Sequence, residues 1–290
     1  MPKIAVTGAS GKLGSATIEF LLARDVAPGD IVAVMRDATT ATGLAARGVE
    51  LRHGDYTDAA SLEKAFRGID RLAFISTSAL GDERMLHHGN VVKAARAAGV
   101  GHIFYTSVIK PAAEAKFAAS PGHFHTERLV RESGITHTFF RNNLYMDLVP
   151  LMFGSAVATG RLAHNGADGR VGFIARSDVA RALAAALSSN GHENRDYAIT
   201  APQPYSLADV ARGLSRASGK SVDYDPLSSA DFRLLLESVG VPPPVVSMSV
   251  ALGDAIRAGE FDAKSGDVEK LTGRTPVPLD AFLGQALGAH

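Results

Sequence analysis

Cysteine is absent from all 290 residues. That excludes disulfides, thiolate metal sites, iron–sulfur ligation by thiolate and a cysteine nucleophile together. A charge excess is absent too, because Lys+Arg and Asp+Glu both number 30. Nucleic-acid binders carry a basic excess or stripe, so a nucleic-acid partner is not expected. No apolar run reaches about 18 residues, the rough minimum for a membrane span. The opening MPKIAVTGAS also lacks the apolar stretch of a signal peptide. The expectation is a cytoplasmic chain with no membrane partner, monomeric or homodimeric. What is present is ordinary for a globular protein. With 46% hydrophobic and 21% charged residues, the chain can build a sizeable core in one large domain or two modest ones.

Short β-branched runs alternate with amphipathic stretches through the first half. Lys3–Thr7, Asp30–Arg36, Glu50–His53, Arg71–Ser76, His102–Ser107 and Thr136–Arg141 read as strands. Lys12–Arg24, a segment from Asp58 or Ser61 to Arg67, residues 84–98 and Gly122–Ser133 read as helices. This alternation predicts βαβ units, and right-handed crossovers make them a Rossmann-type, doubly wound parallel sheet of the α/β class. Beyond residue 142 the rhythm changes. Gly160–Gly172 reads as a loop or a short strand pair, Ser177–Leu187 as a helix and Asp196–Thr200 as a strand. Ser206-x-x-Asp209 opens a further helix, Ser221–Asp225 is a strand candidate, and Pro242-Pro243-Pro244 separates two more helices. The expected organisation is a dinucleotide-binding domain over residues 1–145, with 175–200 returning to it. A smaller, mostly helical substrate lobe is expected over 146–290.

The strongest motif is Thr7-Gly8-Ala9-Ser10-Gly11-Lys12-Leu13-Gly14, which follows a strand and opens a helix. Gly8 permits the sharp turn, Gly11 lets the backbone approach a pyrophosphate, and Gly14 lets the helix pack closely on the strand. Free N–H groups of the first helical turn then face the phosphates. A P-loop is rejected, since it needs Gly and Ser/Thr where Val6 and Leu13 stand. The second strand ends in Arg36, where NAD-binding folds place a carboxylate for the ribose hydroxyls. A guanidinium there can clasp a 2′-phosphate and stack on adenine, which favours NADPH, and Lys12 can add a second positive charge. The plainer alternative is a solvated Arg36 partnered by Asp37. At the ends of the next strands stand Asp55-Tyr56 and Ser76-Thr77-Ser78. Asp55 is placed to accept from the adenine amino group, and Ser76 and Thr77 to lie along the ribose and pyrophosphate. Ordinary capping and turn chemistry would explain the same residue types.

Also missing is Tyr-x-x-x-Lys, the usual acid pair for ketone reduction, because none of the six tyrosines has lysine four residues on. Either another residue gives the proton, or the acceptor takes hydride without strong acid assistance, as quinones and stabilised carbocations do. His123 is a candidate donor, with a surface or helix-start histidine as the plainer reading. His123 and His125, two apart on a helix, do not face the same way, so no metal site is expected. Lys110 is a weaker candidate. Asn142 can bond the cofactor carboxamide and Tyr145 can flank the substrate. Alternatively, Asn142 and Asn143 cap a helix beginning near Leu144.

These segments together resemble a known family. AVTGASGKLG (Ala5–Gly14), VELRHGDY (Val49–Tyr56), NVVKAARAAGV (Asn90–Val100), YTS (Tyr105–Ser107), TFFRNNLY (Thr138–Tyr145), GHENRDY (Gly191–Tyr197) and the stretch Gly253–Gly273 are similar to NmrA-like, atypical short-chain dehydrogenases. Within them, the branch of type-2 NADPH:quinone oxidoreductases and triphenylmethane reductases is most similar. The resemblance implies NADPH held by Gly8–Gly14, with Ser10 and Leu13 among them, by Arg36, by Ser76–Ser78 and by Phe139–Asn143, which includes Phe140. It implies an oxidoreductase passing hydride to a quinone or another flat conjugated acceptor held in an apolar pocket. Reduction of cationic dyes or imines is the alternative, and a dinucleotide-responsive regulator without turnover is a third. The related isoflavone-type reductases carry a lysine where this chain reads His123-Phe124-His125-Thr126, so their mechanism does not transfer.

Overall fold

The computed structural model describes residues 2–288. Its first half runs β1 (Ile4–Thr7), α1 (Lys12–Leu22), β2 (Ile31–Met35), α2 (Thr42–Ala46), β3 (Glu50–His53), α3 (Ala59–Ala65), β4 (Arg71–Phe74), α4 (Gly81–Ala97), β5 (His102–Val108), α5 (Ser120–Glu132) and β6 (Thr136–Asn142). Then come α6 (Val149–Phe153), α7 (Ala156–Thr159), β7 (Arg161–His164), β8 (Arg170–Val171), α8 (Arg176–Leu187) and β9 (Arg195–Ile199). The chain ends with β10 (Tyr205–Ser206), α9 (Leu207–Ser218), β11 (Asp223–Pro226), α10 (Ser229–Ser238), α11 (Pro243–Arg257), α12 (Asp267–Thr272) and α13 (Leu279–Leu287).

Seven parallel strands pair in the order β3-β2-β1-β4-β5-β6-β9. The direction of winding reverses between β1 and β4. In a doubly wound sheet, the crevice for a ligand opens at the carboxyl ends of the strands on either side of that reversal. Successive strand residues alternate between the two faces, so Val6, Ala33, Phe104 and Phe140 pack with α1 and α8 residues such as Ile18, Leu21, Leu183 and Leu187. Ala5, Val32, Ile103, Tyr105 and Phe139 pack on the other face with Leu62, Phe66 and Val91 of the α3–α4 side. Helices on both faces explain why these strands read as nearly continuous apolar runs. A separate apolar cluster starts at Val108, Ile109 and Leu144 and continues through Phe173, Leu207, Ile256 and Leu283.

Two sequence expectations are corrected. The Gly160–Gly172 stretch does hold two short strands, but they do not pair with each other. β7 pairs in parallel with β11, and β8 antiparallel with β10. No helix begins near Leu144. The backbone is extended at Tyr145, a short 3-10 turn spans Met146–Leu148, and α6 starts at Val149. Asn143 is drawn the other way, donating through Nδ2 to Thr200 Oγ1 (3.0 Å) and the Phe261 carbonyl (2.9 Å). Helix α8 runs as read but for one residue, starting at Arg176, and Asp178 in its first turn accepts from the Val277 N–H at 2.8 Å. The capping box at Ser206 and Asp209 is present as read. Among the described residues no helix is long and apolar enough to cross a membrane.

Among the described residues five histidines are buried, His87, His88, His102, His123 and His164, and four of them are shifted. Burial pushes His102 and His164 down to about 4. Burial, reinforced by the Arg84 charge, holds His88 and His123 well below the usual histidine range. Unfolded histidines titrate near pH 6.5, so below that pH the unfolded chain binds protons that the folded chain refuses. Stability is therefore fully present above about pH 7 and is lost as pH falls toward 5, at about 1.4 kcal/mol per pH unit for each such histidine. Urea midpoints measured at pH 7.5, 6.0 and 5.0 should fall in that order; a flat series would mean that these imidazoles accept protons in the folded chain.

Candidate functional site

The loop after β1 is shaped by its glycines. Gly8 has φ +59°, a backbone conformation that costs an ordinary residue roughly 1–2 kcal/mol. Its carbonyl accepts from the Gly11 N–H at 2.9 Å, and the Ala9 N–H donates to Val34 across on β2 at 3.2 Å. A Cβ on Gly14 would lie 2.3 Å from the Gly8 carbonyl oxygen, and one on Gly11 would lie 3.2 Å from it. Helix α1 thus starts pressed against the end of β1, with no side-chain cap and no acidic residue in its first turn. Its N-terminal N–H groups and the positive end of its dipole face the crevice mouth, the arrangement that receives phosphates. Gly8, Ser10, Gly11 and Lys12 are exposed there, whereas Leu13 is core and offers only backbone.

Arg36 is exposed just past β2. Asp37 accepts from the Thr39 N–H at 2.9 Å and from the Thr39 hydroxyl. Asp55 stands nearby. Hydrogen bonds from Thr57, first its N–H, hold the Asp55 carboxylate below its ordinary range, and the charges of Arg36 and His87 add to this. Both Thr57 bonds fall on Oδ1, at 2.9 Å each. Tyr56 turns inward. Its hydroxyl lies 2.6 Å from Thr7 Oγ1 and donates to the Ile75 carbonyl at 2.6 Å, tying β1 to the chain leaving β4. Ser76, Thr77 and Ser78 form the turn beyond β4. The Ser76 N–H donates to Thr106 Oγ1 at 2.9 Å and the Thr77 N–H to His88 Nε2 at 3.1 Å.

At the other end of the crevice, buried Asn142 donates through Nδ2 to Tyr145 Oη at 3.3 Å. Its Oδ1 is buried and has no hydrogen-bond partner among the described residues. An acceptor so placed fits the amide N–H₂ of a carboxamide. Burial raises the Tyr145 phenol above its ordinary value, and the Arg176 guanidinium sits 5.2 Å over the ring. Phe140 is core, its ring 5.7 Å from that of Tyr197.

His123 is neither a surface nor a solvated helix-start residue. Arg84 Nη1 donates to its Nε2 at 2.8 Å, which fixes the proton on Nδ1, and Nδ1 meets Tyr105 Oη at 2.6 Å. Both nitrogens are thus engaged inside the protein. Lys110 has φ +46° and donates to the carbonyls of Gly259 (3.0 Å) and Asp262 (2.7 Å), fastening the end of β5 to the chain after α11. No group of His, Asp or Glu suited to a metal occurs among the described residues. The sequence reading missed Arg84 and His88, which reach the Ser76–Ala79 turn from α4. No local motif marks them, because their partners are on other elements.

Residues 2–273 match the NmrA-like family. The chain is 37% identical over 278 residues to quinone oxidoreductase 2 of Escherichia coli strain K12, covering 95% of this chain and 96% of that protein. The backbone is similar to the Citrobacter sp. triphenylmethane reductase complexed with NADP(H), with a TM-score of 0.91, 39% identity and coverage of 98% and 100% of the two chains. It is also similar to an NADPH-dependent quinone oxidoreductase from Escherichia coli complexed with NADPH, with a TM-score of 0.92, 34% identity and coverage of 98% and 99%.

The tightest steric demand of the loop gives a test. Gly14→Ala drives a methyl into backbone 2.3 Å away, with no flexible side chain to yield. Destabilisation of about 1–3 kcal/mol is expected, with a displaced N-terminus of α1. Urea unfolding should show the loss; a wild-type midpoint would mean that the helix can shift without cost.

Proposed function

Because this chain belongs to the NmrA-like family, we propose that it is a reductase that binds NADPH along the carboxyl ends of β1, β2 and β4 and delivers hydride to a quinone-like acceptor. The observation that carries the reading is the uncapped start of α1 against the left-handed Gly8, flanked by the exposed cations Lys12 and Arg36. The residues fit the dinucleotide at both ends. The N–H groups of Ser10, Lys12 and Leu13 suit a pyrophosphate, and Arg36 with Lys12 suits a 2′-phosphate. The carboxylate of Asp55 suits the adenine amino group, the Ser76–Ser78 turn suits the ribose, and Asn142 Oδ1 suits the carboxamide. When bound, NADPH supplies the hydride; the protein supplies position and exclusion of water. We take residues 1–145 with 175–200 as the cofactor-binding part and 146–290 as the substrate lobe.

The acceptor sits, in this reading, where the second lobe's apolar cluster meets the ends of β5 and β6, at Val108, Ile109 and Leu144. Apolar surface there suits a flat, uncharged ring. Tyr145 borders the same place through its contact with Asn142, and its raised pKa keeps it protonated at neutral pH, so it can donate to the oxygen that gains charge. His123 is not used as a donor, since both its nitrogens are held in the interior. A cationic triarylmethane is the second reading, favoured by the similarity to the Citrobacter enzyme over nearly the whole chain.

NADPH oxidation followed with menadione and with malachite green separates the acceptors. Tight NADPH binding with turnover of neither would favour a dinucleotide-responsive regulator. Arg36→Ala should weaken NADPH by about ten- to a hundredfold and leave NADH within about twofold, as loss of a charge-assisted pair to one phosphate requires. Equal losses for both dinucleotides would remove Arg36 from the 2′-phosphate.

A further inference from the structure

The backbone of the Ser76–Ala79 turn is secured by buried side chains from α4. Thr77 N–H donates to His88 Nε2 at 3.1 Å, and the Ala79 carbonyl accepts from Arg84 Nε at 2.7 Å. A backbone N–H is a fixed donor, so His88 Nε2 must accept, and its proton is on Nδ1. That proton goes to Thr126 Oγ1 at 2.8 Å, and the Thr126 hydroxyl goes on to the Gly122 carbonyl at 2.7 Å. The Arg84 guanidinium, anchored on His123 Nε2, reaches Tyr105 Oη through that ring. Two chains of oriented bonds therefore run from α5 and β5 through α4 to two atoms of one turn.

This arrangement is expensive as mere packing. Arg84 is 4% exposed and forms no ion pair among the described residues. An apolar side chain would fill the space without desolvating a cation. α5 also makes room for it, because a Cβ on Gly122 would lie 2.5 Å from Arg84 Cδ. Neither chain of bonds leads to solvent, and both end on the turn assigned above to the cofactor ribose.

We infer that His88 and Arg84 are positioning residues of the cofactor turn, holding the backbone of Ser76–Ala79 from beneath in the shape that NADPH binds. The inference rests on the proposed NADPH site. His88 supplies the acceptor for Thr77, Arg84 the donor for Ala79, and Thr126 and His123 orient the two.

The chain has no tryptophan, so NADPH affinity of the full-length protein is best measured by calorimetry, beside steady-state turnover of menadione. His88→Leu leaves the half-buried Thr77 N–H without its acceptor and should weaken NADPH about tenfold. The KM for NADPH should rise in step, while kcat at saturating NADPH and the KM for menadione change by less than about threefold. His88→Gln keeps an acceptor within reach of Thr77 and should recover most of the loss. Gly122→Ala, whose added methyl meets the Arg84 side chain first, should weaken NADPH by about threefold or more and decides the matter should His88→Leu fail to fold. A folded His88→Leu chain that binds NADPH like wild type overturns the positioning role, as does a glutamine variant as weak as leucine or an unchanged Gly122→Ala. A wild-type chain that does not bind NADPH overturns the reading beneath it.

Discussion

The Gly8 carbonyl oxygen occupies the place where a side chain on Gly14 would stand. Everything at the crest of the sheet follows from that close approach. Helix α1 can begin within contact of the strand it leaves only if both positions are bare and Gly8 takes a positive φ. The helix axis then points its unpaired N–H groups across the ends of β1 and β4, where the winding reverses. A phosphate-binding site and a packing solution are here the same geometry, so neither can be altered alone.

Charge is distributed to match. The exposed cations, Lys12 and Arg36, stand at the open mouth beside the dipole of α1. Inside, polar groups are neutral or locked. His88 and His123 are kept unprotonated by burial and by Arg84, and burial raises the phenols of Tyr56 and Tyr105. In a low-dielectric interior, such fixed dipoles position backbone atoms without offering a proton to exchange. The crest is thus electrostatically active at its surface and inert underneath.

How far the sequence spoke depended on the range of each interaction. The glycine loop, the Asp58 cap and the Ser206–Asp209 capping box were legible because each is closed within a few residues. The parallel strands were legible because burial on both faces removes alternation. The pairing of β7 was not legible, since its partner β11 lies some 60 residues on and nothing local names it. His123 illustrates the same limit. Its neighbours in sequence suggest a helix start at the surface, yet Arg84, 39 residues earlier, closes over it. Asn143 looked like a cap and instead bonds Phe261, 118 residues away. Helices α2, α6, α7 and α12 are too short to show a period.

The missing Tyr-x-x-x-Lys limits the chemistry more than any residue present enlarges it. Hydride addition to a simple ketone leaves a localised alkoxide, a strong base that needs an acid at hand. Three of the tyrosines are unfit for that task on physical grounds: half-buried Tyr56 is spent on the Ile75 carbonyl, Tyr105 is buried and bonded, and Tyr224 is spent on the Ala167 carbonyl at 2.9 Å. Tyr145 has no lysine to lower its pKa, and burial moves it the other way. It can donate a hydrogen bond but does not readily surrender its proton. An acceptor whose added charge spreads into an aromatic ring, or is cancelled outright as in a carbocation, removes the need for that proton. The electronics of the acceptor thus do the work that the protein's acid does elsewhere in this architecture, and what remains for the protein is alignment and dryness.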